Sequence, residues 1–123
     1  MILLDKPYVS DFLKQTIAEQ QLPVIRTEQV QRFELDERVR LYEPTAAIEA
    51  FRNGGSSLLY TNSENAIPWI AANLAFTRLP EQINLLKDKA AFRALSKELF
   101  PDFQYQTVSL HKLETIDPAS LRL

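Results

Sequence analysis

Lys89, Arg93 and Lys97 fall at four-residue steps in the segment that begins Leu85-Leu86-Lys87-Asp88-Lys89. On a helix these three cations share a face. A lysine at a helix start opposes the positive end of the dipole by ~0.3–1 kcal/mol, and the stacked cations repel each other as well. A bound anion such as phosphate would offset both penalties. The plain structural alternative is a solvated basic stripe opposite Phe92, Leu95 and Leu99. A second group, Asn62-Ser63-Glu64, follows a short apolar run, and Lys6 follows another. If both runs are strands of one parallel sheet, these residues meet at its carboxyl edge, where ligands gather. Ser63 and Lys6 would then suit a substrate carboxylate, and Glu64 an amine. Helix capping by Ser63 and Glu64 explains the same residue types and stays open beside that reading.

Other chemistries are excluded or unsupported. The chain has 123 residues and no cysteine, which removes disulfides, thiolate zinc sites and cysteine nucleophiles. Its two glycines are adjacent, at 54 and 55, so neither a dinucleotide fingerprint nor a phosphate loop of the Walker type can be built. His111 has no acid or nucleophile at a recognisable spacing and is assigned no role. Asp5-Lys6 suggests a phospho-acceptor domain, but that design needs a further acid where Tyr60-Thr61-Asn62 supplies none. With 14 basic and 16 acidic residues mixed along the chain, neither nucleic acid nor an anionic membrane is a favoured partner. Met1 to Leu4 is too short for a signal-peptide core, and no stretch approaches the ~20 apolar residues of a membrane span. A cytoplasmic protein is expected.

The elements that would hold these residues follow from periodicity and punctuation. Ile2 to Leu4 reads as a strand and Asp5-Lys6-Pro7 as a turn. Phe12, Leu13, Thr16 and Ile17 then recur at helical spacing after a Ser10 cap. Pro23 ends that helix and Val24-Ile25 reads as a second strand. Residues 27 to 43 fit neither template. A helix runs from Pro44 through Ala47, Ile48 and Phe51 to the stop at Asn53-Gly54-Gly55. Leu58 to Thr61 reads as a buried strand, 62 to 65 as a polar turn, and Ile67, Ile70, Ala71 and Leu74 as a helix. Leu79-Pro80 is a break. Asp88 caps a helix that carries Phe92, Leu95 and Leu99 up to Pro101, and Tyr105 to Leu110 offers a further strand. Strands alternating with helices predict an α/β fold, a mainly parallel sheet with helices on its faces. The chain stops at Leu121-Arg122-Leu123 with no closing helix, and is expected to continue in a longer parent.

An apolar strand and short loop before Lys87-Asp88-Lys89, with the Asp88-Lys89 pair at the helix start, resembles the approach to the nucleotide-binding part of ATP-grasp enzymes such as biotin carboxylase and carbamoyl phosphate synthetase. The loop Tyr60-Thr61-Asn62-Ser63-Glu64-Asn65 is similar to the strand-end loop of their preceding domain, and Leu4-Asp5-Lys6-Pro7-Tyr8-Val9-Ser10 is a looser match. The resemblance spans about residues 1 to 110. It implies a three-layer, Rossmann-like pre-ATP-grasp domain over residues 1–86, with the start of an ATP-grasp region over 87–123. It implies ATP contacts for Lys89 and Arg93, and a substrate cleft that includes Lys6, Asn62, Ser63 and Glu64. The parent would be a carboxylate–amine or related ligase that uses ATP and magnesium and works through an acyl phosphate. The family's phosphate-covering loop, purine-contacting lysine and magnesium ligands have no counterpart here. This chain is therefore expected to contribute no catalytic residue or metal ligand, to bind no cofactor tightly by itself, and to work with the rest of the polypeptide and a small carboxylate. A homodimer stays open. The competing expectation is a self-contained α/β binding or dimerisation module without catalysis.

Overall fold

The computed structural model describes residues 1–55, 58–103, 105 and 107–116. They form two compact units, residues 1–81 and 82–123. The first is built on a four-stranded parallel sheet of order β3-β2-β1-β4. Its strands are β1 (Ile2–Leu3), β2 (Val24–Ile25), β3 (Leu41–Tyr42) and β4 (Tyr60–Thr61). Ile2 is in register with Val24 on one side and Tyr60 on the other, and Val24 with Leu41. Parallel neighbours need crossovers. Helix α1 (Asp11–Glu19) joins β1 to β2, and α2 (Pro44–Arg52) joins β3 to β4. The link from β2 to β3 has no α-helix, only a 3-10 turn at Val30–Arg32.

Local chemistry sets the helix ends. The Ser10 hydroxyl accepts a hydrogen bond from the Leu13 N–H at 3.2 Å, and Asp11 pairs with Lys14 at 2.8 Å across the first turn. Pro44 opens α2, where its missing N–H costs nothing, and Gly54 takes the left-handed φ of 71° that stops the chain from continuing as helix. Side chains alternate along a strand. Ile2, Leu4 and Val24 therefore pack in one cluster with Ile17 and Ala18 of α1, joined by Val9, Val30 and Val39. Leu3 and Ile25, of opposite parity, are equally shielded. Burying a side chain of this size contributes about 1.5–3 kcal/mol. The cluster thus fixes α1 and the long β2–β3 link against the sheet.

Three segments differ from expectation. Strand β3 lies in the stretch that fits neither period, because two half-exposed residues at a sheet edge leave almost no hydrophobic signal. Leu58 to Thr61 is not a buried strand. Only Tyr60–Thr61 pairs, at the other edge, and Tyr60 is half exposed. The Leu79-Pro80 break is instead the first turn of helix α4 (Leu79–Lys87), which follows α3 (Ile67–Asn73). Proline is tolerated in a first turn, and the Thr77 hydroxyl accepts the Leu79 N–H at 3.2 Å. Leu85-Leu86 is therefore the end of a helix, not an apolar strand leading into Lys87-Asp88-Lys89.

The second unit carries the rest of α4, α5 (Lys89–Ser96) and a 3-10 segment at Leu110–Thr115. Helix α5 stops short of Pro101. The Ser96 hydroxyl donates back to the carbonyls of Phe92 and Arg93, a local bond that competes with helix continuation. In the expected strand from Tyr105 to Leu110, residues 105 and 107–109 have no regular structure and Leu110 begins the 3-10 segment; residues 104 and 106 lie outside the described set. Leu95, Leu99, Phe100 and Leu110 of this unit are well exposed. Among the described residues no helix is long and apolar enough to cross a membrane.

Candidate functional site

The loops that leave the carboxyl ends of β1 and β2 meet on the first unit. One long-range polar clamp holds the loop after β1. Asn62, just past β4, accepts the Asp5 N–H on Oδ1 at 2.8 Å, and its Nδ2 donates to the carbonyls of Asp5 at 2.8 Å and Tyr8 at 2.9 Å. Asn65 Nδ2 donates to the Lys6 carbonyl at 2.9 Å. Two asparagines thus satisfy backbone groups of a turn that lies far away in sequence, and the two bonds to Asp5 are half-buried, where an unpaired backbone group is costly. The consequence is a fixed origin for the side chains of Lys6 and Tyr8.

Those side chains line an open cleft of about 420 Å3, with Lys14 from α1 and Gln29, Arg32 and Phe33 from the link after β2. Lys14 is held by Asp11, whose hydrogen bond raises the lysine pKa and lowers that of the carboxyl. Lys6 and Arg32 are exposed cations with no ion-pair partner among the described residues. Glu34 is the acid on the rim. With Lys14 paired to Asp11, the unpaired cations are Lys6 and Arg32, which stand beside the aromatic side chains of Tyr8 and Phe33 and suit a small anion such as a carboxylate. The link is itself braced. Arg38 grips Asp36 through Nε and Nη2, both at 2.8 Å, and through its backbone N–H at 2.9 Å. These bonds lower the Asp36 pKa to about 2.

Of the substrate-cleft residues expected from sequence, only Lys6 lines this cleft. Asn62 spends its amide on the clamp. The Ser63 hydroxyl accepts the Asn65 N–H at 3.1 Å, the capping geometry that was the alternative reading. Glu64 is exposed at the start of the 3-10 turn Glu64–Ala66 and lines neither cleft of this unit. Lys14 and Arg32 were not anticipated. Lys14 sits on the α1 face that periodicity marks only as polar, and Arg32 in the stretch without a period. Topology alone brings them together.

On the second unit, Lys89 opens α5 as expected, but the helix start is already occupied. Asp88 Oδ1 accepts the N–H groups of Ala90 at 2.9 Å and Ala91 at 3.0 Å. Two of the backbone amides that would cradle a phosphate are thus bonded to a carboxylate, which weakens this helix start as an anion site and leaves the Lys89 side chain as its main cation. Arg93 lies over the Phe103 ring at 4.1 Å and lines a cavity of about 250 Å3 with Lys97, Phe100 and Tyr105. Among the described residues no three His, Asp or Glu side chains are grouped closely enough to hold a metal ion. Lys89 and Arg93 are thus present at the start of α5 and against Phe103, and among the described residues no metal-ligand set accompanies them. Comparison of the chain with family models, curated proteins and solved structures finds no significant match.

Proposed function

We propose that the chain is the amino-terminal part of an ATP-dependent ligase that joins a carboxylate to an amine or related nucleophile through an acyl phosphate. In this reading the first unit is a three-layer, Rossmann-like pre-ATP-grasp domain that receives the carboxylate, and Lys89 and Arg93 approach the ATP phosphates as side chains. The observation that carries it is the basic cleft at the carboxyl ends of β1 and β2, with Lys6, Lys14 and Arg32 around one opening. Charge-assisted contacts to a carboxylate are the strong kind, and loops at this sheet edge are the usual place for them. The magnesium ligands and phosphate-covering loop would come from the rest of the polypeptide. A cytoplasmic enzyme fits this chemistry.

The exposed apolar side chains of the second unit favour a partner surface. In the ligase that surface is the remainder of the polypeptide; in a non-catalytic dimerisation module it is a second copy. Sedimentation of this chain separates them, since a dimer with buried Leu95 and Leu99 speaks for the module. The ligase is tested on a longer polypeptide carrying this chain. Sustained ADP release should require both a carboxylate and an amine, Arg32→Ala should raise KM for the carboxylate, and Lys89→Ala should weaken ATP binding about tenfold or more. ADP release independent of both substrates contradicts the proposal.

A further inference from the structure

A second crevice on the first unit, about 410 Å3, has the opposite charge balance. It is lined by Asp5 from the end of β1, by Arg26, Glu28 and Gln29 after β2, by Pro44 at the start of α2, and by Trp69 of α3. Arg26 Nε is bonded to Glu43 at 2.9 Å, so its charge is already met. Asp5 Oδ1 accepts the Lys6 N–H at 2.7 Å, and among the described residues Asp5 Oδ2 has no hydrogen bond and Glu28 no ion-pair partner. Two carboxylates are therefore uncompensated beside a half-buried indole. A ligand with N–H donors and positive charge suits both features of this crevice: charge-assisted bonds to the carboxylates, and a cation beside an aromatic side chain.

We propose that this crevice binds a primary amine, its ammonium held between Asp5 and Glu28 against Trp69. Gln29 lines both openings, so the amine site and the basic cleft are neighbours on one sheet edge. The ammonium site stands on the crevice alone; its role as the seat of the amine co-substrate rests on the ligase reading above.

Trp69 is the only tryptophan of the chain, which makes its emission and its indole N–H resonance direct reporters. The probes are a four-carbon series at constant ionic strength: 1,4-diaminobutane, 4-aminobutyrate and succinate. The first two should perturb Trp69 saturably and succinate should not. Glu28→Gln, an exposed substitution that leaves the fold alone, should weaken diaminobutane binding about tenfold, and Asp5→Asn, which keeps an acceptor for the Lys6 N–H, should do the same. A Trp69 response to succinate equal to that of diaminobutane, no saturable response to either amine, or unchanged affinity in both variants overturns the proposal. Amine binding in a parent without ligase activity sinks the ligase reading alone; ligase activity without amine binding here sinks the crevice alone.

Discussion

Asn62→Ala removes one side chain and three hydrogen bonds, two of them part-buried, that tie the start of β4's loop to the turn after β1. Each bond contributes about 1 kcal/mol net, and the Asp5 N–H and the carbonyls of Asp5 and Tyr8 lose partners that solvent replaces only in part. The expected loss is about 2–4 kcal/mol. For a unit of about this size that lowers the melting temperature by at least about 8 °C. Thermal melts followed by far-ultraviolet circular dichroism measure it, with urea titration to confirm that the slope is unchanged. Asn62→Asp sharpens the test. A carboxylate still accepts from the Asp5 N–H, but it has no donor for the two carbonyls and turns an anionic oxygen on them. It should melt no higher than the alanine variant. Asn65→Ala, which loses a single exposed bond to the Lys6 carbonyl, should fall by about 1 kcal/mol or less. An Asn62→Ala protein that melts within about 2 °C of the parent chain would refute the clamp and return Asn62 to the list of ligand contacts.

Leu4→Ala, at a fully shielded position of the α1 cluster, should cost about 2–5 kcal/mol in urea unfolding, since the cavity left behind collapses only partly. Ser63→Ala should lower stability by about 1 kcal/mol, and in a longer active polypeptide it should leave the saturated turnover rate near normal. The Asp36 carboxyl, followed by carbon-13 NMR, should titrate near pH 2, and Arg38→Gln should move it back up toward the ordinary carboxylate range. Because its folded pKa is depressed, its contribution to stability is present above the unfolded value near 4 and fades as pH falls toward about 2. Asp88→Ala should fray the first turn of α5 and lower its helicity, at a cost of about 1 kcal/mol.

The elements legible in the sequence were those with two agreeing signals. Helix α1 had both the spacing of Leu13 and Ile17 and a Ser10 cap; α2 had Pro44 before it and Asn53-Gly54 after it; α5 had Asp88. Helix α4 was hidden because Pro80 carries two meanings, a break inside a helix and a welcome residue in its first turn, and spacing alone does not choose between them. Strand β3 was hidden because an edge strand of two residues has no period to read. The site divides the same way. Lys6 was visible as a residue just past an apolar run. Lys14, Arg32 and Gln29 come from an otherwise polar helix face and an irregular link, and they face one cleft only because the chain crosses from β1 to β2 and then on to β3. Asn62 and Ser63 lie past β4 and bond to the backbone, since polar side chains at strand ends serve the backbone as readily as a ligand.

The central claim is that the cleft around Lys6, Lys14 and Arg32 receives a carboxylate. Amide NMR of the chain titrated with succinate, and separately with 1,4-diaminobutane, tests it most directly. Saturable shifts with succinate at Lys6, Tyr8 and Arg32, lost in Arg32→Ala, are the predicted result. No shift at these residues with succinate, or equal shifts with the diamine, would contradict it.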